Sequence, residues 1–215
     1  MINLKNIFVG FLVSFVGSIP LGYLNVVGYE IYLQQGFTTT ICYLLGVILI
    51  EFFVIYFTLI FANQLASNAK LTKYIEGFSV LFMFVLAYIF YTTGAKTANE
   101  SSEFSNFGYW KSFTTGVFLS AINFVQIPFW TSWNLYLLNG KYIEVLKTRK
   151  YFYVIGTVVG TFSGMVLLIV TLHFFTQETD FLSKYLMRII IPIVFLSLGI
   201  YQGVKFYIKY SKLGY

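Results

Sequence analysis

The chain has 215 residues, of which 58% are hydrophobic and only 10% are charged, and its mean hydropathy is +0.77. Because soluble domains carry charge on about a quarter of their residues, this composition excludes an ordinary soluble protein and predicts a protein of the lipid bilayer. The net charge of +6 would suggest nucleic acid as a partner of a soluble protein, but here the basic residues fall in loops, so no nucleic-acid partner is expected.

Six apolar segments are long enough to cross a membrane, because a helical span needs about 20 mostly apolar residues. We predict spans at residues 7–33, 40–63, 77–95, 112–138, 153–175 and 183–207. Ten Lys and Arg residues fall on the side of both termini and four on the other side. Since cytoplasmic loops are rich in Lys and Arg, both termini are predicted to be cytoplasmic.

The two halves of the chain share short patterns in the same order. Tyr-Leu-Gln-Gln-Gly ends at Gly36 and closes span 1, and Tyr-Leu-Leu-Asn-Gly ends at Gly140 and closes span 4, 104 positions later. Further pairs recur at offsets between 104 and 110: Gly10 and Ser14 with Gly116 and Ser120, Tyr43 and Gly46 with Tyr153 and Gly156, and Gly94 to Lys96 with Gly203 to Lys205.

Two repeats of three spans must have opposite orientations in the membrane, an arrangement that many secondary transporters use. We therefore predict an all-α, polytopic membrane protein with six transmembrane helices in two inverted three-helix repeats. The repeats are residues 1–95 and 112–215, and the polar residues 96–111 form an external linker.

Span 1 is interrupted at mid-depth by the segment from Gly17 to Asn25. Pro20 removes a backbone N–H, and Gly22 permits non-helical angles. Backbone groups freed at this depth must face protein or a wet cavity, so together with the Asn25 amide they can bind a polar solute. A kink packed against neighbouring helices is the alternative.

Span 2 carries Glu51 near its middle, among apolar neighbours. An intramembrane carboxyl group is costly and usually faces a cavity or a partner, and a proton exchanged there would couple transport to proton flow. The alternative is a permanently protonated acid that bonds another helix. Glu30, near the outer end of span 1, is expected to be structural or to guard the external mouth.

Span 4 is the most polar span, and its Ile-Pro step corresponds to that of span 1. Its polar and helix-breaking residues are Asn123, Gln126, Pro128, Thr131, Ser132 and Asn134. We predict that Asn123 and Gln126 contribute to a shared solute site with span 1. Amides that only bond neighbouring helices are the alternative.

Span 5 opens with small residues on one helical face, Gly156, Gly160 and Gly164, which let another backbone come close. We interpret them as packing residues that can also form a repeat interface or the interface of a homo-oligomer. His173 is expected at the membrane interface. The chain has one cysteine, Cys42, and no P-loop, dinucleotide, HExxH or GxSxG motif, so no enzyme activity, cofactor or metal is expected.

The segment from Pro20 to Asn25, Gly46 with Glu51, and Asn123 resemble motifs of the LysE family of amino-acid exporters, small six-span proteins built from repeats. The resemblance implies a solute site at Pro20, Gly22, Asn25 and Asn123 and a location in the cytoplasmic (inner) membrane of a bacterium. Tyr23 and Phe124 stand where the family commonly has proline.

These features predict a secondary transporter that exports an amino acid or similar small polar solute by proton antiport. The solute would bind at Pro20, Gly22, Asn25, Asn123 and Gln126, with Glu51 as the coupling group and alternating access around broken helices 1 and 4. The alternative is a non-catalytic scaffold or assembly subunit docked through the span 5 glycines.

Overall fold

A computed structural model describes residues 2–18, 22–96, 108–146, 148–178 and 189–211, and within these ranges every regular element is helical. The helices are α1 (Ile2–Ser18), α2 (Tyr23–Ser67), α3 (Ala69–Lys96), α4 (Tyr109–Ala121), α5 (Gln126–Asn139), α6 (Arg149–Glu178) and α7 (Ile191–Ser211). The prediction of an all-α membrane protein is therefore confirmed at this level.

Three helices of the described part are long and apolar enough to cross a membrane: Tyr23–Ala62, Arg149–Phe175 and Ile191–Ser211. A fourth span results if α4 and α5, which meet at a bend of 68°, are counted together. These findings establish a multi-pass arrangement, while the count of six spans stays a prediction. The predicted start of the last span, at residue 183, lies outside the described residues.

The first two predicted spans are not separated by a loop, because α2 runs from Tyr23 to Ser67 with one sharp break at Gly36. Gly36 has φ 78° and ψ 179°, a conformation that is open almost only to glycine. A single residue, Gly36, therefore turns the chain. The sequence predicts a link of several residues between the spans that end at 33 and begin at 40.

The break in the fourth span lies earlier than Pro128. Residues 122–125 are non-helical, and Pro128 is the third residue of α5. A proline in the first turn of a helix costs little, because the N–H that it lacks would have no partner within the helix there. The interruption predicted at the Ile-Pro step thus lies a few residues earlier, and Pro128 belongs to the first turn of the second half of the span.

The described helices form two compact units, each of which draws on both halves of the sequence. The first unit contains α1, α2, α4, α5 and α6 as far as His173. Its apolar core consists of Ile55, Leu59, Trp130, Leu137, Ile143, Tyr153 and Val154. The second unit contains α3 and α7, which pack antiparallel: Gly77 lies near Phe206 and Gly199 near Phe84, and Lys209 Nζ pairs with Glu76 Oε1 at 2.6 Å.

In the first unit, α1 packs against α6 through glycines on both helices. A Cβ atom added to Gly10 would lie 2.5 Å from the Tyr153 carbonyl oxygen, and one added to Gly156 would lie 2.2 Å from the carbonyl oxygen of Ile7. Distances this short mean that the two backbones touch, and that no other side chain fits at these positions without a shift.

The pair formed by α4 and α2 has the same contacts. A Cβ atom at Gly116 would lie 2.1 Å from the Tyr43 carbonyl oxygen, and one at Gly46 would lie 2.1 Å from the carbonyl oxygen of Phe113. The residues of α4 lie 106 positions after their counterparts in α1. The residues of α2 lie 110 positions before their counterparts in α6. The same close contact is therefore built twice from matching residues.

Candidate functional site

Helix α5 presents a polar stripe to the interior of the first unit. Its buried residues include Gln126, Trp130 and Asn134, which are spaced four apart and therefore share one face. Each makes a side-chain hydrogen bond to another helix: Gln126 to the end of α4, Trp130 to Glu51 on α2, and Asn134 to Thr58, also on α2. This stripe organises the polar interior of the unit.

The helix ends beside the two breaks are in contact. The Tyr23 hydroxyl, at the start of α2, donates to the backbone carbonyl of Leu119, near the end of α4. Gly17, near the end of α1, lies against the ring of Phe129 on α5. The prediction that spans 1 and 4 come together at their interrupted segments therefore agrees with these contacts.

Asn25 and Gln126 have matching roles at the two breaks. Asn25 Nδ2 donates to the Ser18 carbonyl at 2.9 Å, and Gln126 Nε2 donates to the Ser120 carbonyl at 2.8 Å. In both cases the amide belongs to the helix after the break and donates to a carbonyl oxygen in the last turn of the helix before the break. Each amide thus stabilises the interrupted helix, whatever further ligand it binds.

Glu51 is partly buried and meets two other helices. The indole Nε1–H of Trp130 donates to Glu51 Oε1 at 3.3 Å, and the Thr161 side chain on α6 lies beside the carboxyl group. The hydroxyl groups of Thr161 and Ser14, on α1, are hydrogen-bonded to each other. The carboxyl group therefore lies where α1, α2, α5 and α6 meet, and not toward lipid.

The remaining predicted site residues lie at the ends of helices. Gly22 precedes α2, and its carbonyl oxygen accepts the backbone N–H groups of Asn25 and Val26 at 3.0 and 3.1 Å. Asn123 is half-buried in the non-helical segment between α4 and α5, and its carbonyl oxygen accepts the Gln126 N–H at 3.3 Å. Pro20 lies outside the described residues.

The partners of Glu51 were not recognisable from residue type, because Trp, Thr and Ser are common in membrane helices. One signal existed: Thr161 is the counterpart of Glu51 at an offset of 110, and Ser14 is the counterpart of Ser120 at 106.

Two buried hydroxyl groups near the break, Ser120 Oγ and Thr131 Oγ1, have no hydrogen-bond partner within the described part of the chain. Such groups mark places where a ligand or water can bind.

The glycine face of span 5 is occupied within the same chain. Added Cβ atoms at Gly156, Gly160 and Gly164 would collide with atoms of α1, including the backbone carbonyl oxygens of Ile7, Phe11 and Phe15. The interpretation as packing residues between the two halves agrees with these contacts. Because α1 covers the face, it is not available to a helix of a second copy.

Three further features lie away from Glu51. Glu30 Oε1 accepts a hydrogen bond from Gln34, one turn along the helix, and His173 stacks edge-on against Tyr32 with ring centroids 4.8 Å apart. A groove of about 540 Å³ between α1 and α6 is lined by apolar residues and the Lys5 stem, and contains none of the predicted site residues. No cluster of His, Cys, Asp or Glu that could hold a metal occurs among the described residues.

Comparison with known proteins gives one family. A family model described as LysE type translocator matches residues 15–205, which is most of the chain. No match is found among curated proteins or among solved structures. The matched range includes both helix breaks, Glu51 and most of each unit.

Proposed function

Since this chain belongs to the LysE type translocator family, we propose that it exports an amino acid or a similar small polar solute in exchange for protons. The membrane-spanning helices and the family make it a multi-pass membrane transporter. We place it in the cytoplasmic membrane of a bacterium, with both termini inside, because the basic residues are concentrated in the loops on that side.

The proposed topology has six spans in two inverted repeats. Span 1 consists of α1 and the part of α2 before Gly36, span 2 is the rest of α2, and α4 with α5 forms span 4. The paired glycine contacts support this topology, because α1 meets α6 through the residues that correspond to those joining α4 to α2. A two-fold relation between inverted repeats generates such doubled contacts.

The solute is proposed to bind beside the two breaks, at Pro20, Gly22, Asn25, Asn123 and Gln126. Their contact through Tyr23 and Leu119 supports a single site rather than two. Because the Gln126 NH₂ group faces the Ser120 carbonyl, its Oε1 atom is the group that an amino group of the solute would meet. The buried Thr131 hydroxyl offers a further ligand on the same helix.

The observation that carries the coupling proposal is the position of Glu51 against its own counterpart, Thr161. Equivalent residues of two repeats that touch each other lie beside the axis relating the repeats. A group at that position contacts both halves, so a proton bound there can bias the movement of one half against the other. This is the requirement for a coupling site in alternating access.

Uptake into inverted membrane vesicles under an imposed pH gradient tests the proposal. Glu51→Gln removes the exchangeable proton and keeps the shape of the side chain, so we expect uptake driven by the gradient to fall to background. Glu144→Gln, which changes an exposed carboxylate beside Arg149, is the matched control and should transport like the wild type. Unchanged gradient-driven uptake by Glu51→Gln would show that coupling does not use this group.

The scaffold alternative depended on the small-residue face of span 5 as a docking surface. That face is covered by α1 of the same chain, through the backbone of Ile7, Phe11 and Phe15. The described structure therefore favours transport over assembly as the role of this protein.

A further inference from the structure

The interior of the first unit brings together polar side chains from three different helices. Ser14 on α1 bonds to Thr161 on α6, and Thr161 lies beside Glu51 on α2. Ser14 and Thr161 are 1% and 4% exposed, so their hydroxyl groups have little access to solvent. The carboxyl group of Glu51 is thereby placed against the α1–α6 pair.

The repeat relation assigns a second hydroxyl group to Glu51. Ser14 corresponds to Ser120 and Thr161 to Glu51, by the offsets that relate the glycine contacts of the two helix pairs. The counterpart of the Ser14–Thr161 hydrogen bond is therefore a hydrogen bond between Ser120 and Glu51.

The position of Ser120 agrees with this assignment. The buried residues of α4 are Ser112, Gly116 and Ser120, which form one stripe, and the middle one lies against the backbone of α2 at Tyr43 and Val47. Helices α1 and α6 run parallel, since Ile7 meets Gly156 and Phe11 meets Gly160. If α4 packs along α2 in the register in which α1 packs along α6, Ser120 of α4 faces α2 one turn beyond Val47, at the level of Glu51.

The second hydrogen bond is not formed in this conformation. Ser120 is completely buried, and its Oγ atom has no hydrogen-bond partner within the described residues. Glu51 instead accepts the hydrogen bond of the Trp130 indole. A buried hydroxyl group without a partner is energetically unfavourable. The two halves of the unit therefore differ at these matching positions.

We propose that a hydrogen bond is exchanged between matching positions during the transport cycle, from Ser14–Thr161 in the present conformation to Ser120–Glu51 in the oppositely facing one. This inference rests on the proposed function, since only alternating access exchanges the conformations of the two repeats. In the opposite conformation the Ser120–Glu51 bond forms and the Ser14–Thr161 bond breaks. Ser120 is then a positioning residue that stabilises one end state, as Ser14 and Thr161 stabilise the other.

Infrared spectroscopy of the purified full chain in lipid, at a pH low enough to protonate Glu51, tests this exchange without requiring a known solute. The carbonyl stretch of the protonated carboxyl group is identified as the band that Glu51→Gln removes. Because its frequency depends on the hydrogen-bond partner, the wild type should show two components. Ser120→Ala should remove the component bonded to Ser120, whereas Thr161→Val, which breaks the Ser14–Thr161 bond of the present conformation, should raise that component about fivefold relative to the other.

Two controls separate partner exchange from a general packing effect. Ser112→Ala removes an equally buried hydroxyl group from the same face of α4, two turns away, and should leave the band unchanged. Thr161→Ser keeps a hydroxyl group and should retain both components. A single component, or a band that Ser120→Ala does not alter, would overturn the proposal.

Transport measurements on the same variants keep the two proposals distinguishable. If Glu51→Gln abolishes gradient-driven uptake while Ser120→Ala behaves like Ser112→Ala in both assays, the proposed function stands and the partner exchange is wrong. If uptake in the wild type does not depend on the pH gradient but the band has two components that respond in opposite directions, proton coupling is wrong and the exchange of partners stands.

Discussion

The Tyr153 hydroxyl group donates to Asn134 Oδ1 at 2.8 Å, which joins α6 to α5 inside the first unit. The amide group of Asn134 continues the connection, because its Nδ2 atom donates to Thr58 Oγ1 on α2 at 3.1 Å. All three residues are at most 3% exposed. Both ends of the Asn134 amide are thus used by the protein, so this residue fixes three helices rather than binding solute.

Tyr153→Phe should destabilise the protein by about 1–2 kcal/mol, because it leaves Asn134 Oδ1 buried without its donor while the ring is retained. The measurement is reversible unfolding of the purified protein in detergent. Tyr88→Phe removes a hydroxyl group from a side chain that is 69% exposed, and should change stability little. Equal stability of the two variants would contradict a structural role for the Tyr153 hydroxyl group.

Gly116→Ala should destabilise the protein by about 1–3 kcal/mol, because a Cβ atom at this position collides with the backbone of α2 at Tyr43. Backbone atoms cannot turn aside as a flexible side chain can, so the two helices must separate. Gly10→Ala should have a similar effect, since it makes the matching collision with Tyr153. Thermal unfolding of both variants in detergent measures the change.

Gly108→Ala is the control for these substitutions. Gly108 has φ −69°, which any residue adopts, and no atom lies within 4 Å of an added Cβ atom. Because Gly108 is the N-cap residue of α4, where alanine is less favourable, its midpoint of thermal unfolding should fall somewhat, but less than that of Gly116→Ala. If Gly116→Ala unfolds at the same temperature as Gly108→Ala, the close contact between α4 and α2 is wrong.

Gly36→Ala separates backbone strain from crowding. No atom lies within 4 Å of a Cβ atom at Gly36, but its φ of 78° with ψ of 179° is unfavourable for every residue with a side chain. We expect a loss of about 1–3 kcal/mol in unfolding free energy. A loss close to zero would mean that the chain turns at Gly36 with ordinary angles.

Much of the fold followed from patterns that lipid enforces. Long apolar runs predict helices because the backbone has no other way to satisfy its polar groups in a bilayer, and a carboxyl group such as Glu51 is expected to face protein for the same reason. The family was also recognisable, because its motifs are local. The extent of each helix was less predictable: Gly36 turns the chain alone, and Pro128 lies inside a helix that begins two residues earlier.

The partners within the site depend on contacts between distant segments, which residue type does not specify. Nothing local to Asn25 or Gln126 indicates that each amide satisfies a carbonyl group across a helix break. By residue type Trp130 is one more aromatic residue of a membrane helix, yet its indole lies against Glu51. The repeat offsets are the one sequence feature that does indicate a distant partner, because they relate Thr161 to Glu51. The two residues come into contact if both lie beside the axis that relates the repeats.

Asn6 provides a last test, at the end of α1 that is predicted to be cytoplasmic. Its Nδ2 atom donates to the carbonyl oxygens of Glu144 and Arg149 at 2.7 and 3.0 Å, and its Oδ1 atom accepts the Glu144 N–H at 3.2 Å. The completely buried amide thus substitutes for backbone partners that the loop between α5 and α6 lacks. Asn6→Asp replaces two donors with an oxygen that faces two carbonyl oxygens.

We expect Asn6→Asp to lower the free energy of unfolding by about 2–3 kcal/mol, and Asn6→Ala to lower it less, because alanine leaves the carbonyl groups unpaired but adds no repulsion. Asn3→Asp makes the same chemical change at an exposed position one turn away, and should have little effect. Denaturant unfolding in detergent gives the three values. If Asn6→Asp were as stable as Asn3→Asp, the amide would not hold the loop, and α1 would be anchored mainly by its glycine contacts with α6.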